Sequence, residues 1–286
     1  MRLKLAIFLI ALVALPAAAQ ARMIGIAGTP DQFQALGSMH LTIRANYIEY
    51  GSEIVSTLDA DRALHATAMI TLTDNSALTL GAIVSGTTDA YLRRTARTVR
   101  SYHRPVYIRL AQEMNGDWFP WSGDPALYVA FWRHVWRVFH AADAANVRWI
   151  WGPDLLTYRD QPTFEAATSP YWPGGRYVNL IGPTLVEFAF ESDCEVDCRF
   201  ERINWLHESY HKPVWLPETK VDAAERYAWL ESLKLALAAS PWVRAIVWSE
   251  TTSRAQENGQ PGVGDMNWSL TADPFARQLL SAAAAA

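Results

Sequence analysis

Eight short runs of the chain are rich in β-branched and other apolar residues, and longer amphipathic stretches separate them. Such an alternation is typical of βα units that build a parallel sheet. The runs span residues 23–27, 41–48, 67–72, 105–111, 147–151, 177–181, 213–216 and 245–248. Eight βα units are enough to close the sheet, so the pattern predicts an α/β fold consisting of a single (β/α)8 TIM barrel.

The length and composition agree with one large domain. The chain has 286 residues, half of them hydrophobic, which is the usual size of one barrel. An open nucleotide-binding sheet is disfavoured, because the glycines after the first run lack the spacing of a dinucleotide-binding loop. The firmest predicted helix spans residues 124–144, where aromatic and aliphatic residues recur every three or four positions.

The first 21 residues resemble a cleavable leader. Arg2 and Lys4 precede an apolar run that is short for a bilayer span, and small residues follow up to Ala21. We therefore expect a signal peptide at 1–21, a barrel domain at 22–281 and a frayed tail at 282–286. The expected mature protein is an exported monomer, periplasmic or secreted, with no membrane span.

The charge and the aromatic content bear on the ligand. The net charge is −4 and the Lys and Arg residues are scattered, so nucleic acid is not an expected partner. The chain contains 13 Trp and 11 Tyr residues. Flat rings of this kind stack on flat-faced ligands such as sugars, although many of them will simply fill the core.

Two carboxylates follow predicted strands. Glu113 follows the fourth run and Glu218 the seventh. The active sites of barrel enzymes lie at the carboxyl ends of the strands, so these two side chains are expected to face each other across the barrel mouth. A carboxylic acid opposite a carboxylate is what glycoside hydrolysis needs, but acidic residues are common at loop starts and this geometry is only suggestive.

A longer pattern surrounds Glu113. The sequence Gln-Glu-Met-Asn-Gly-Asp-Trp-Phe-Pro-Trp at residues 112–121 resembles the acid/base motif of glycoside hydrolase family 26, a β-mannanase family of the barrel-fold hydrolase clan A. Further likeness covers most of the chain from residue 22 and extends over residues 85–86, 89–91, 149–153, 171–174, 177–178, 212–214, 218, 248 and 267–268.

The resemblance implies a function and assigns the residues. It implies a retaining β-glycoside hydrolase that cleaves a polysaccharide, β-1,4-mannan or a related β-glucan or exopolysaccharide, without a cofactor or a metal. Glu218 would be the nucleophile and Glu113 the acid/base. Arg109 would support the site from beneath, and Gln112 would contact a sugar hydroxyl. The cleft and the floor under the sugar would be formed by Trp118, Trp121 and Trp248.

The chain departs from the family pattern at two positions. Gln112 stands where the family usually has His, which bears on the preference at the second carbon of the sugar. Val186 stands where the family usually has a Tyr that hydrogen-bonds the nucleophile. A non-catalytic carbohydrate-binding barrel is therefore the main alternative function.

Two further patterns allow other interpretations. Cys194 and Cys198 are separated by three residues, and in an exported protein a small disulfide is favoured over a metal site. His207-Glu208-Ser209-Tyr210-His211 matches the HExxH pattern of zinc peptidases. Pro213 follows directly, and in a barrel this segment lies on an outer helix away from the mouth, so a zinc peptidase is the less favoured hypothesis.

Overall fold

The structure is a computed structural model that describes residues 21–73, 79–156, 163–187, 195–250, 252–253 and 266–286. Its strands are β1 Met23–Ala27, β2 Ile43–Glu49, β3 Thr67–Thr73, β4 Val106–Leu110, β5 Val147–Trp151, β6 Leu180–Ile181, β7 Thr184–Glu187, β8 Val214–Val221, β9 Val243–Ser249, β10 Thr252–Ser253 and β11 Met266–Asn267. Its α-helices are α1 Pro30–Ala35, α2 Val55–Ala63, α3 Leu80–Val84, α4 Asp89–Tyr102, α5 Pro125–Ala141, α6 Phe164–Thr168, α7 Val196–Tyr210, α8 Arg226–Ala238 and α9 Pro274–Ala285.

The parallel strands close into a barrel, which confirms the predicted fold. Strands β1 to β6 pair in sequence order, β1 pairs with β9, β9 pairs with β8, and β8 pairs with both β6 and β7. Strands β6 and β7 together make one interrupted member of the barrel, which therefore has eight members in the described part of the chain. The short β10 and β11 form a separate antiparallel pair.

The interruption between β6 and β7 differs from the continuous run predicted for residues 177–181. Only Leu180 and Ile181 are β-strand there, and pairing resumes at Thr184. Pro183 lies between the two pieces and has no N–H to donate to a ladder. Gly182 bridges the gap, and its N–H donates to the carbonyl oxygen of Trp151 at 2.8 Å.

The strands alternate between two cores. One cluster fills the inside of the barrel and includes Ile43, Ala45, Met69, Ile150, Trp215, Ala245 and Val247. A second, larger cluster lies between the strands and the helices. Because side chains two apart share a face, Tyr47 continues the inner row of β2 and Arg109 the inner row of β4, both toward the carboxyl end. The sheet therefore places the side chains of Tyr47 and Arg109 at the mouth of the barrel.

The predicted helix at 124–144 is α5. The Asp124 side chain accepts a hydrogen bond from the N–H of Leu127 at 2.9 Å, and Pro125 occupies the first turn. Its predicted apolar stripe packs against the barrel, with Trp132 and Val135 fully buried. His134 contacts Asp89 of α4 at 2.7 Å and therefore ties neighbouring helices together.

The C-terminus differs from its prediction. Helix α9 continues through Ala285, and Ala283 and Ala284 are buried, whereas fraying was expected from residue 282. The small alanines fit closely against the barrel, and the N–H of Arg22 donates to the carbonyl oxygen of Ala284 at 3.3 Å. The predicted leader falls on residues 1–21, which lie outside the described residues except for Ala21.

Candidate active site

Glu113 lies in a sharp turn directly after β4. Both Ala111 and Glu113 have left-handed backbone, with φ of 46° and 57°. Non-glycine residues adopt this conformation only where surrounding contacts enforce it, and such strain concentrates at functional sites. The contacts here are the N–H of Glu113 on the carbonyl oxygen of Gly152 at 2.7 Å and the Tyr128 hydroxyl on that of Ala111 at 3.1 Å. The turn fixes where the Glu113 carboxyl group points.

Glu218 lies within β8, opposite Thr184 of β7 in register. The pairing of β8 with β9 is irregular between Leu216 and Thr219, and Pro217 precedes the glutamate. Irregularities of this kind redirect a side chain at a barrel rim. Glu218 is 8% exposed, so its carboxylate is available only from the mouth.

Arg109 connects the two glutamates. Its side chain is fully buried, and Nη1 donates to Oε2 of Glu218 at 2.8 Å. Nη2 donates to the hydroxyl of Thr184, which donates in turn to Oε1 of Glu113 at 2.6 Å. The distance from Nη2 to Oε1 of Glu113 is 3.9 Å. The structure thus brings Glu113, Glu218 and Arg109 together, as the sequence predicts.

A second cation, which the sequence analysis missed, also contacts Glu218. The Nζ of Lys220 donates to Oε1 of Glu218 at 2.9 Å and lies 4.4 Å from the ring centroid of Trp268. Each carboxylate oxygen of Glu218 therefore has its own cationic donor. The i, i+2 spacing of Glu218 and Lys220 in a strand was the available signal, since such residues share a face.

The two glutamates have opposite pKa shifts. For Glu113, burial is the largest effect and the negative charge of Glu218 adds to it, so the pKa is raised despite Arg109, Thr184 and Trp118. Burial also opposes ionisation of Glu218, but Lys220 and Arg109 outweigh it and lower its pKa to about 2. One carboxyl group favours the acid form and the other the anion.

Tyr47 is a further member of the site that the sequence did not single out. Tyr47 as a whole residue is 42% exposed, and its side chain hydrogen-bonds Glu218. Burial of the hydroxyl, followed by the negative charge of Glu218, raises the pKa of Tyr47 well above its usual range. The hydroxyl therefore stays protonated and donates to the nucleophile candidate. This is the kind of contact that the family Tyr, replaced here by Val186, would provide.

The predicted aromatic residues are distributed differently from expectation. Trp118 is partly exposed and its Nε1 donates to Oε2 of Glu113 at 2.7 Å, so it belongs to the site. Trp121 is 5% exposed and instead holds the turn, because its Nε1 donates to the carbonyl oxygen of Gln112 at 2.7 Å.

Trp248 does not form the predicted floor. It is fully buried, and its Nε1 donates to the carbonyl oxygen of Trp268 at 2.6 Å. The reason is the alternation of β9, in which Ala245 and Val247 face the inside of the barrel while Ile246 and Trp248 face the helices.

Gln112 is 3% exposed, and its side chain has an unused acceptor. No hydrogen-bond partner for its Oε1 is found among the described residues. A buried amide oxygen without a partner is costly. The predicted contact of Gln112 with a sugar hydroxyl stays a prediction.

The HExxH pattern lies at the C-terminal end of helix α7. His207 belongs to α7, donates from Nδ1 to the carbonyl oxygen of Lys212 at 2.9 Å and stacks on Trp242 at 4.4 Å. His211 follows the helix with left-handed backbone, so the two histidines do not share a helical face. Within the described ranges, no group of His, Cys, Asp and Glu residues could hold a metal ion. Cys194 lies outside the described residues, so its disulfide with Cys198 stays a prediction.

Among the described helices, none is long and apolar enough to span a membrane.

Comparisons with known proteins confirm the resemblance to glycoside hydrolase family 26. The model of the family described as "Glycosyl hydrolase family 26" matches residues 80–197, which include Glu113 but end before Glu218. Endoglucanase H of Acetivibrio thermocellus is 29% identical over 104 residues, 34% of this chain and 11% of that protein. Beta-1,3-xylanase TXYA of Vibrio sp. is 31% identical over 144 residues, 48% of this chain and 28% of that protein.

Similarity to solved structures extends over nearly the whole chain. The catalytic domain of the family 26 endo-beta-1,4-mannanase of Bacillus sp. JAMB-750 superimposes with a TM-score of 0.63 at 13% identity. The superposition covers 93% of this chain and 86% of that chain. At this identity the likeness supports the barrel fold.

Proposed function

Because residues 80–197 match the model of glycosyl hydrolase family 26, we propose that the protein is a retaining β-glycoside hydrolase that cleaves a polysaccharide. Glu218 acts as the nucleophile and Glu113 as the acid/base. The observation that carries this proposal is the opposite pKa shift of two carboxyl groups linked through one buried arginine. Paired carboxyl groups whose environments push their pKa values apart are typical of an acid and a nucleophile in one site.

The first half of the reaction forms a covalent intermediate. A carboxylate oxygen of Glu218 attacks the anomeric carbon while the bond from that carbon to the leaving oxygen breaks. Glu113 gives its proton to the leaving oxygen, which departs as a sugar hydroxyl. Arg109 keeps hold of Oε2 of Glu218, so Oε1 is the oxygen that attacks.

The second half releases the sugar. Glu113, now a carboxylate, takes a proton from water, and the resulting hydroxide oxygen bonds to the anomeric carbon as the bond to Glu218 breaks. Both glutamates return to their starting states, and two inversions leave the configuration retained. One guanidinium contacts both side chains, which is consistent with the separation of about 5 to 5.5 Å that this mechanism uses.

The substrate is a β-linked glycan, with β-1,4-mannan as the first candidate and β-glucan, xylan or an exopolysaccharide as the others. The relatives of this chain, which are named as an endoglucanase, β-1,3-xylanases and a mannanase, support this range. The leader-like sequence at 1–21 supports action outside the cytoplasm, where such polymers occur. We propose that the mature protein acts there as a monomer.

The direct test is the release of new reducing ends from a panel of polysaccharides. The panel contains β-mannan, glucomannan, mixed-linkage β-glucan, β-1,4- and β-1,3-xylan and bacterial exopolysaccharides, each with and without a chelator. Wild type is expected to cleave at least one polymer, chelator or not, while Glu113→Gln and Glu218→Gln lose nearly all activity. Binding without cleavage, unchanged by Glu218→Gln, would overturn the proposal in favour of a carbohydrate-binding barrel. Activity that requires a metal would contradict the mechanism.

A further inference from the structure

Lys220 and Arg109 both bind the carboxylate of Glu218, the nucleophile candidate. Arg109 is fully buried beneath Glu218 and holds Oε2, whereas the side chain of Lys220 is 15% exposed and holds Oε1. The oxygen that forms the bond to sugar is therefore the one that Lys220 occupies. Lys220 must leave this oxygen, at least in part, when the substrate arrives.

Among the described side chains that contact Glu113 or Glu218, the charges do not cancel. Arg109 and Lys220 contribute two positive charges, Glu218 contributes one negative charge, and Glu113 is neutral while it carries its proton. After the first step Glu218 is an uncharged ester and Glu113 is a carboxylate, so the sum is unchanged. Within this group of four described side chains one positive charge is in excess throughout the cycle, at a place where little water reaches to screen it.

A neutral sugar has no negative charge that could pair with this excess positive charge. The transition state places positive charge on the sugar ring beside Oε1 of Glu218. A lysine ammonium that remains near this atom repels that charge, and a lysine that moves away leaves a partly buried cation without an anionic partner. A negatively charged group on the bound sugar removes both penalties, because it replaces Glu218 as the partner of Lys220.

The surroundings of Lys220 allow it to exchange Glu218 for an anionic group of the sugar. Its Nζ lies over the face of Trp268 at 4.4 Å, which supports a cation without binding it through hydrogen bonds. The ammonium has three donors, and among the described residues one of them has a hydrogen-bond acceptor, Glu218. Tyr47, a residue that is 42% exposed at the same mouth, offers a surface on which a sugar can pack.

We propose that the preferred substrate is an acidic β-linked polysaccharide, and that Lys220 binds the anionic substituent of the sugar at the cleavage point. The inference rests on the proposed function for the identity of the site. It goes beyond that function by naming an anionic glycan as the substrate class and Lys220 as the residue that selects it.

The first experiment measures binding, so it does not depend on turnover. The full chain with Glu113→Gln, which imitates the protonated acid, is titrated calorimetrically with uronate-containing oligosaccharides and with the same oligosaccharides after reduction of their carboxyl groups to alcohols. A sulfated glycan forms a third arm, which distinguishes a carboxylate from another anion. We expect the acidic ligand to bind at least about tenfold more tightly than its reduced counterpart, with the preference falling as salt rises.

Three lysine variants locate the preference. Lys220→Met, in the same background, is expected to bring the ratio of the two affinities close to one, whereas Lys220→Arg retains most of it. Lys234→Met removes an exposed lysine of α8 that pairs with Glu231, and should leave the ratio unchanged. Thermal unfolding checks that each variant is folded.

The outcomes separate the inference from the proposed function. Equal affinity for the acidic and the reduced ligand, or a preference that survives Lys220→Met, would overturn the inference. A kcat/KM of wild type that is higher on neutral than on acidic polymers would overturn it as well, while leaving the hydrolase intact. Lys220-dependent binding of acidic ligands that no assay can show to be cleaved would support the inference and contradict the hydrolase.

Discussion

The immediate neighbours of Glu113 act on its pKa in different directions. Burial and the charge of Glu218 raise it, whereas Arg109 and the hydrogen bonds from Thr184 and Trp118 lower it. The basic limb of the pH dependence of kcat/KM reports the group that must be protonated in the free enzyme, here Glu113. The neighbours of one carboxyl group should therefore set the upper pH limit of activity.

Removal of a donor to Glu113 should move the basic limb to higher pH. Trp118→Phe deletes the N–H that stabilises the carboxylate, so the acid form persists to higher pH and the pKa rises further. Thr184→Val should act in the same direction. A kcat/KM profile for each variant measures the shift, and Trp136→Phe of α5 is a control because that ring stacks on His140 away from the site. A limb that moves to lower pH would contradict the assigned hydrogen bonds.

The helices show a recurrent C-terminal feature. Helices α4 and α7 each end at a histidine in left-handed backbone, His103 with φ of 58° and His211 with φ of 51°. Glycine is the usual residue at this position because it lacks a Cβ. His103 is exposed, and its N–H donates to the carbonyl oxygen of Arg100. The histidine side chain thus contributes little there, while its Cβ carries the strain.

His103→Gly should stabilise the protein by about 1 kcal/mol, since the strain of the left-handed residue is relieved. For a domain of this size the gain corresponds to a rise of roughly 2 to 4 °C in Tm. Thermal and urea unfolding would measure it. His103→Ala keeps the Cβ and should show no such gain; an equal gain in both variants would mean that the imidazole, and not the backbone, is responsible.

At the scale of the whole molecule, closure of the barrel depends on a tight passage at Gly182. A Cβ on this residue would lie 2.3 Å from Cγ2 of Ile150 and 2.9 Å from Cγ of Pro217. Both neighbours belong to strands that flank the interrupted β6–β7 member, and Pro217 directly precedes Glu218. The contact of Gly182 with Pro217 therefore helps to close the barrel and also helps to position Glu218, the nucleophile candidate.

Gly182→Ala should destabilise the fold by about 1 to 3 kcal/mol through overpacking. It should also lower kcat, because the added Cβ pushes Pro217 away, and Pro217 cannot shift without moving Glu218. Gly37→Ala is a matched control: a Cβ at Gly37 has no atom within 4 Å, and the substitution should be neutral or slightly stabilising. Urea unfolding and kcat measure the two effects, and equal stability of both variants would refute the proposed constraint.

Much of the fold was predictable, because the strand runs and helix starts are local patterns. The same holds for Glu113 and Glu218, which follow or end such runs. Thr184 and Tyr47 were not predicted, since their contacts depend on the irregular β8 pairing and on the break at Pro183. Lys220 was not predicted either, although its i, i+2 spacing from Glu218 was an available signal. Trp248 was assigned to the wrong face, because sequence gives the alternation of a strand but not which of its two faces lines the barrel.

The measurement that tests the central claim most directly is the anomeric configuration of products formed with azide. An aryl β-glycoside of the preferred sugar is incubated with Glu113→Ala and with Glu218→Ala in the presence of sodium azide, and the glycosyl azides are identified by NMR. With Glu113→Ala, azide should intercept the glycosyl–Glu218 intermediate and give the β-azide. With Glu218→Ala, it should replace the nucleophile and give the α-azide. The reverse assignment, or the same anomer from both variants, would contradict the roles given to the two glutamates.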